Sequence, residues 1–232
     1  MEKVNSPAWI IVGLGNPGKE HELNRHNAGF MCVDALAKKH NIAVNNIEFG
    51  ALMGLGEIRN QSCLMIKPQT YMNHSGEAVL EYLKNYNMDS TQLIIILDDI
   101  YFMPGELRIR KNGGAGGHKG LSSVIENIFT QDFLRIRLGV GQAPEHLSLE
   151  DWVVTDFDDN DMAALRKAVE KACSAIEMII DGDVNYSTIN TTSMDYSYTY
   201  NDYLLYEKDG KLVKILDDFK NKEAYNDLMN MQ

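Results

Sequence analysis

The sequence has few cysteines, and nothing in their placement favours a disulfide or a metal cluster. Cys32, Cys63 and Cys173 are far apart, and each stands among apolar neighbours. Disulfide frameworks and zinc sites instead use even numbers of cysteines or closely spaced pairs. We therefore predict three reduced structural thiols and no bound metal.

The chain of 232 residues also lacks a long apolar run. A membrane-spanning helix needs roughly 18 to 20 uninterrupted apolar residues, and no stretch reaches that length. Residues 1–7 lack the basic and apolar regions of a secretion signal. These absences predict a protein that does not enter a membrane and stays in the cytoplasm.

Positive charge is scarce over most of the chain. The 22 lysines and arginines face 33 acidic residues, which gives a formal net charge of −11. Such a surface repels a phosphate backbone, which excludes general affinity for nucleic acids. Residues 107–137 are the exception, with six basic and two acidic residues. They could form a local patch for RNA, although an ordinary solvated surface has the same pattern.

Apolar periodicity predicts strands that alternate with helices. We expect strands at 9–12, 51–58, 62–67, 93–97, 107–110 and 133–140, and helices at 30–37, 75–86, 121–128 and 162–179. The run at 93–97 is apolar on both faces, as expected for a strand covered by helices on both sides. The predicted fold is therefore α/β, a three-layer α/β/α arrangement around a mixed, mostly parallel sheet.

The pattern is lost after residue 184, which divides the chain into two parts. We predict a catalytic domain at 1–184 and an acidic, Tyr/Asn-rich C-terminal extension at 185–232, in which 217–229 could form one short charged helix. The segment 181–232 carries ten acidic residues and five lysines. Length and a hydrophobic content of 44% allow one domain with a full core plus such an appendage.

Polar residues cluster where the predicted strands end. Ligands of open α/β sheets bind beyond the carboxyl ends of the strands, so these positions are candidates for a site. They fall in four segments: Asn16 with His26, then Tyr71-Met72-Asn73, then Asp98-Asp99, then the glycine-rich run 113–119. Any one of them alone is more simply explained as a turn or cap residue, but their joint placement favours a site.

His26 is the natural general base of such a site, because imidazole titrates near neutral pH. A carboxylate such as Asp98 would fix its tautomer and stabilise the imidazolium. Since no Gly-x-Ser-x-Gly elbow occurs and the cysteines have no basic neighbour, water is the expected nucleophile. Asn16 and Asn73 would position that water or hold a developing oxyanion.

Two glycine motifs point to other chemistry but fit it poorly. The run 113–120 offers backbone N–H groups to an anion, yet it lacks the Gly-Lys-Ser/Thr ending of a phosphate loop. Residues 13–18 match Gly-x-Gly-x-x-Gly literally, but the polar segment that follows does not resemble an apolar helix on a sheet. Nucleotide hydrolysis and dinucleotide binding are therefore disfavoured.

Five linked motifs carry a resemblance to a known family. In order they are IVGLGNPG at 11–18, RHNAGF at 25–30, KPQTYMN at 67–73 with Ser-Gly at 75–76, LDD at 97–99 before Pro-Gly at 104–105, and GGH at 116–118. Together they resemble the bacterial-type peptidyl-tRNA hydrolases over roughly residues 9 to 180.

This resemblance implies a function and a role for each matching residue. It implies hydrolysis of the ester between peptide and tRNA, without cofactor or metal, by an enzyme that we expect to be a monomer. Its partner would be peptidyl-tRNA, bound through the acceptor end and the peptide. The implied roles are general base for His26, orienting partner for Asp98, selection of peptidyl over aminoacyl substrates for Asn16, the cleft wall for Tyr71, Met72 and Asn73, and contact with the tRNA end for His118 and Lys119.

The chain departs from the family pattern at three positions. His21 stands where the family usually has Tyr, Lys119 where it has Asn, and Tyr101 where it has Asp; the first two normally contact substrate. These departures motivate an alternative, a catalytically weakened paralogue that binds RNA. A third reading, a metallohydrolase using His26, Asp98, Asp99 and His118, is disfavoured because no short pair such as H-x-x-x-H is present.

Overall fold

The computed structural model describes residues 6–182 and two further strands at 202–208 and 211–217. Its strands are β1 Trp9–Gly13, β2 Asn46–Glu48, β3 Ala51–Ile58, β4 Gln61–Pro68, β5 Leu93–Asp99, β6 Leu107–Asn112, β7 Asp132–Gly139, β8 Asp202–Lys208 and β9 Lys211–Asp217. Its helices are α1 Ala28–Lys39, α2 Ser75–Tyr86, α3 Lys119–Ile128, α4 Leu149–Val153 and α5 Asp159–Asp181.

All of these strands belong to one mixed sheet, in the order β2-β3-β4-β1-β5-β7-β6-β8-β9. The four central strands β4, β1, β5 and β7 run parallel, and the strands outside them pair antiparallel. The carboxyl ends of four neighbouring strands therefore meet at one edge of the sheet, where loops can gather side chains from distant parts of the sequence.

Helices cover both faces of this sheet. Helices α1 and α5 pack on one face, and α2 and α3 pack on the other. β5 is buried along its whole length, which explains its unbroken apolar run. α1 approaches β1 so closely that a Cβ at Gly13 would lie 2.4 Å from the carbonyl oxygen of Gly29. The predicted three-layer α/β/α fold with a mixed sheet is confirmed.

The principal elements match the predicted ones, and the differences lie in short or peripheral segments. α2 has the predicted bounds, and α5 extends the predicted helix by a few residues at each end. Sequence reasoning missed β2 and α4, which are too short to show a period. It also missed β8 and β9, which add a hairpin beside β6. Apart from residue 217, which ends β9, the predicted helix at 217–229 lies outside the described residues.

Two predictions from absences can be compared with the structure. All three cysteines are buried and free in the structure, and their reduced state stays a prediction. Within the part of the chain that the structure describes, no helix is long and apolar enough to cross a membrane.

One buried carboxylate joins three elements at the end of the sheet away from the strand carboxyl termini. Glu177 of α5 lies 2.6 Å from Nζ of Lys39, 2.9 Å from Nε2 of His40 and 3.5 Å from Nη2 of Arg59. Burial raises the pKa of Glu177, but hydrogen bonds and charges from Lys39 and His40 outweigh burial, so the net direction is downward.

Replacing Glu177 with glutamine is therefore expected to lower the free energy of unfolding at neutral pH by about 1 to 3 kcal/mol. A carboxyl group whose pKa is depressed by folding stabilises the protein fully above its unfolded pKa, and this contribution is lost as pH falls through the folded pKa. Urea unfolding should show the difference shrinking in acid. The control is Glu170→Gln, at an exposed position of the same helix; equal effects of the two changes would contradict the prediction.

Candidate active site

A cavity of about 570 Å³ opens at the carboxyl edge of the parallel strands. Eight of the nine site residues predicted from the sequence line it: Asn16, His26, Tyr71, Met72, Asn73, Asp98, His118 and Lys119. They come from the segments after β1 and β4, from the end of β5, and from the glycine-rich loop and the start of α3. The ninth, His21, is not among the lining residues; its Nδ1 lies 2.8 Å from Oδ1 of Asn24. Its contact with substrate stays a prediction.

The imidazole of His26 and the carboxylate of Asp98 meet at the base of this cavity. Nδ1 of His26 lies 2.8 Å from Oδ1 of Asp98, and both residues are buried. Burial raises the pKa of Asp98, but the charges and hydrogen bonds of His26 and His118 outweigh it and hold that pKa well below its usual range. An ionised Asp98 can only accept, so Nδ1 of His26 donates and Nε2 is left as the acceptor.

A second imidazole shares the same carboxylate oxygen. Nε2 of His118 lies 2.9 Å from Oδ1 of Asp98, while Nδ1 of His118 accepts the backbone N–H of Leu121 at 3.1 Å. His118 is thus the N-cap of α3, and that bond requires its proton to sit on Nε2. Both imidazoles consequently donate to Asp98, and their ring centres lie 4.9 Å apart.

The same hydrogen bonds bear on the metal alternative. The ligand atoms of His26, Asp98 and His118 lie within 4.8 Å of one another, close enough to be considered as a metal site. A metal would have to displace the proton of Nε2 in His118, and the proton could not move to Nδ1 without opposing the Leu121 N–H. The hydrogen-bonding atoms of these three residues are therefore already paired within the protein, and the cluster fits a metal ion poorly.

Asn16 links the first loop to the segment before α2. Its backbone N–H donates to Oδ1 of Asn27 at 2.8 Å, and its backbone oxygen accepts from Nδ2 of Asn27 at 2.9 Å. Its side-chain Oδ1 accepts the backbone N–H of Met72 at 2.9 Å. Because that oxygen is already used, Asn16 offers a ligand the donors of its amide nitrogen.

The segment before α2 presents polar and aromatic groups to the cavity. Tyr71 has φ of 60° and ψ of 161°, a backbone conformation that is costly for a residue with a Cβ. Its side chain is exposed, whereas Met72 is buried beneath it. Asn73 is exposed in the short 3-10 turn Met72–His74. The turn therefore points one amide and one phenol towards a ligand.

Asp99 and Arg137 form an ion pair beside Asp98. Oδ2 of Asp99 lies 2.5 Å from Nε of Arg137, and Oδ1 accepts the backbone N–H of Tyr101 at 2.9 Å. Burial, and to a smaller extent the charge of Asp98, raise the pKa of Asp99, although Arg137 opposes them. The residue thus holds the turn after β5, in line with its expected role as a turn residue, and faces Arg137 rather than His26.

Arg25 is an important residue that sequence reasoning missed. Its side chain is buried, with the guanidinium carbon 3.8 Å from the ring centre of Trp152 and 4.7 Å from that of Phe157. It donates to the backbone oxygen of Val140 and to Asp161, both at 2.9 Å. Arg25, the residue next to His26, thereby packs against the segment that carries α4. A buried and an exposed arginine look alike in sequence, so its place in the motif at 25–30 was the available signal.

The outer wall of the cavity also escaped prediction. It consists of exposed side chains on and around α4 and after β5: Leu149, Glu150, Val154 and Tyr101. Nζ of Lys119, opposite this wall, lies 2.9 Å from Oε1 of Glu150. The region before α5 has no periodicity, and α4 is only five residues long. Its position over the cavity is decided by packing around Arg25.

Comparison with known proteins gives this arrangement a family. A family model described as peptidyl-tRNA hydrolase matches residues 10–198. A peptidyl-tRNA hydrolase of Exiguobacterium sp. is 43% identical over 173 residues, which are 75% of this chain and 94% of the relative. Another, from Lachnospira eligens, is 45% identical over 172 residues, or 74% and 92%.

The fold agrees with the sequence comparison. The crystal structure of peptidyl-tRNA hydrolase from Acinetobacter baumannii superimposes with a TM-score of 0.73 at 34% identity, covering 76% of this chain and 90% of that one. The fold on which the five sequence motifs lie is therefore similar to that of a peptidyl-tRNA hydrolase of known structure. This chain belongs to the peptidyl-tRNA hydrolase family, a family of enzymes.

Proposed function

We propose that this protein hydrolyses the ester that joins a peptide to tRNA, and so recycles tRNA for translation. Family membership supports the substrate class. The observation that carries the chemistry is the hydrogen bond of 2.8 Å between His26 and an ionised Asp98 in the cavity. It leaves Nε2 of His26 able to accept a proton, as a general base requires.

The proposed reaction uses water as the nucleophile. Water attacks the ester carbonyl carbon and transfers a proton to Nε2 of His26, while Asp98 stabilises the resulting imidazolium. As the tetrahedral intermediate collapses, the bond to the ribose oxygen breaks and Nε2 returns the proton to that oxygen. The products are the peptide carboxylic acid and tRNA with a free hydroxyl group.

The other lining residues have proposed roles in holding the substrate. The amide nitrogen of Asn16 and the amide of Asn73 would hydrogen-bond the peptide and the developing oxyanion. Tyr71 and Met72 would form the floor under the peptide. His118 and Lys119 would face the tRNA end, and His21 would contact substrate only from outside the cavity lining described above.

The proposal extends to the organisation of the molecule. Residues 1–184 would form the catalytic domain, and 185–232 an extension that contributes β8 and β9 to the sheet edge. We also propose that the protein is a monomer. We propose that it acts in the cytoplasm, where tRNA is used, and that it needs neither cofactor nor metal.

The direct test is turnover of an N-blocked aminoacyl-tRNA. We expect release of free tRNA at a rate that is the same with and without a metal chelator. An ester that survives prolonged incubation, with salt-dependent retention of tRNA, would instead support the RNA-binding paralogue. Turnover that stops in chelator and returns with zinc would support the metallohydrolase.

A further inference from the structure

An ion pair spans the mouth of the cavity between its two walls. Lys119 directly follows His118 and begins α3, and Glu150 lies on α4 across the cavity. Nζ of Lys119 and Oε1 of Glu150 are 2.9 Å apart, and both residues line the cavity. The lysine is therefore one residue from an imidazole that contacts Asp98, yet its charge is turned towards a carboxylate of the protein itself.

The position of Lys119 calls for an anion. The amino end of a helix carries a partial positive charge, so a lysine in the first turn of the ten-residue α3 adds like charge to like charge. An anion placed there relieves this repulsion and gains from both sources. Glu150 is the anion present in the structure, with its Oε1 2.9 Å from Nζ of Lys119.

The ion pair between Glu150 and Lys119 is weak. The side chains of Lys119 and Glu150 are 53% and 72% exposed, and ion pairs with such exposure are screened by water and salt. Glu150 can leave by rotating its own side chain into solvent. A phosphodiester carries a full charge and several acceptor oxygens, and it reaches the cavity already tethered to the bound substrate.

We propose that Lys119 binds a phosphate of the nucleic-acid strand next to the scissile ester, and that Glu150 is a built-in competitor which the substrate must displace. The inference rests on the proposed function, because the ester of that substrate would lie at His26. Glu150 then sets the affinity for substrate and makes it depend on salt. Lys119 would thus hold the nucleic-acid strand through its charge.

A structural alternative makes the opposite prediction for one variant. If the ion pair only held α4 against α3, breaking it from either side would loosen the cavity, and Lys119→Met and Glu150→Gln would both raise KM. Competition predicts that the two variants change KM in opposite directions. Removing the lysine deletes the phosphate contact and raises KM, whereas removing the carboxylate frees the lysine and lowers KM. The sign of the change in KM for the Glu150 variant therefore separates the two.

The experiment is a double-mutant cycle on KM for peptidyl-tRNA, repeated over a range of salt concentrations. Glu150→Gln is expected to lower KM about two- to fivefold at low salt, and Lys119→Met to raise it by a similar factor. In the Lys119→Met background the glutamine change should no longer lower KM. The slope of log KM against log salt should fall by about 0.7 when Lys119 is lost, the value for one contact to a single strand.

A matched control removes the same charge elsewhere. Glu81 pairs with Lys84 at 3.3 Å on the exposed face of α2, and neither residue lines the cavity. Glu81→Gln changes the net charge as Glu150→Gln does, and is expected to keep the wild-type KM. An equal decrease in KM in both variants would assign the effect to overall charge and overturn the proposal.

Two further results would also overturn it: a rise in KM for Glu150→Gln, or changes that simply add in the double variant. The wild-type protein, the two single variants and the double variant are also compared for their Kd for uncharged tRNA. We expect Kd to fall when Glu150 is replaced and to rise when Lys119 is replaced. If the wild-type protein binds tRNA with this pattern but leaves the ester intact, the proposed function fails while the competition stands. If it cleaves the ester but lacks the pattern, the competition fails alone.

Discussion

Replacing His26 with alanine is expected to lower kcat by about 10²- to 10⁴-fold, the usual contribution of a positioned general base. The reason is geometric, since Nδ1 of His26 is occupied by Asp98 and its Nε2 is the atom left to take a proton from water. KM should change far less, because the base acts in the transition state rather than in binding. The measurement is steady-state hydrolysis of N-blocked aminoacyl-tRNA.

The buried position of His26 requires a check of folding. Circular dichroism and urea unfolding of the variant would show whether the loss of rate reflects chemistry or structure. His146→Ala is the matched control, because His146 is exposed and does not line the cavity. A folded His26→Ala variant that keeps its kcat would remove His26 from the mechanism.

Replacing Asp98 with asparagine is expected to cost a comparable factor for a different reason. Both imidazoles donate to Oδ1 of Asp98, and the amide oxygen of asparagine can take that place and accept from both of them. The amide is neutral, however, so it no longer stabilises the imidazolium that forms when His26 takes the proton from water. We therefore expect kcat to fall by about 10²- to 10⁴-fold with the fold retained.

The neighbouring carboxylate provides the control for this variant. Asp99→Asn makes the same chemical change one residue along, but Asp99 contacts Arg137 and the Tyr101 N–H instead of an imidazole. Its effect on kcat should be much smaller than that of Asp98→Asn. Equal losses in the two variants would indicate a general disturbance of the strand end and would contradict the orienting role of Asp98.

The position of His118 gives the Asp98 variant a second consequence. Asp98 accepts from two imidazoles at once, so the weaker acceptor of the asparagine variant affects His118, the N-cap of α3, as well as His26. Lys119 and the glycine-rich loop adjoin that cap. A rise in KM alongside the fall in kcat would therefore report the disturbance of His118, and the two parameters separate the two roles of one carboxylate.

Much of the architecture could be predicted because it depends on local order along the chain. The unbroken apolar run of β5 and the helical spacing in α2 and α5 reflect burial on two faces or one, which the side chains themselves encode. The short elements β2 and α4 could not be found, because three and five residues hold no full period. Their conformation depends on neighbours that packing supplies.

The candidate site also has features that the sequence predicts and features that only the tertiary structure decides. Sequence alone determined which residue types stand at the strand ends, and the order of the motifs identified the family. Only the tertiary structure decided that His118 shares the carboxylate of Asp98, that Arg25 is buried beside Trp152, and that His21 lies off the cavity lining. These contacts join loops that are distant in sequence, and no spacing rule relates them.

Lys119 and Glu150 show the physical reason most directly. They are 31 positions apart, and each alone has the pattern of an ordinary surface charge. Their meeting follows from the packing of α4 over the cavity, which the buried Arg25 holds through Trp152. Periodicity and composition record how each segment faces solvent, whereas the distance between two surface charges is set by the fold as a whole.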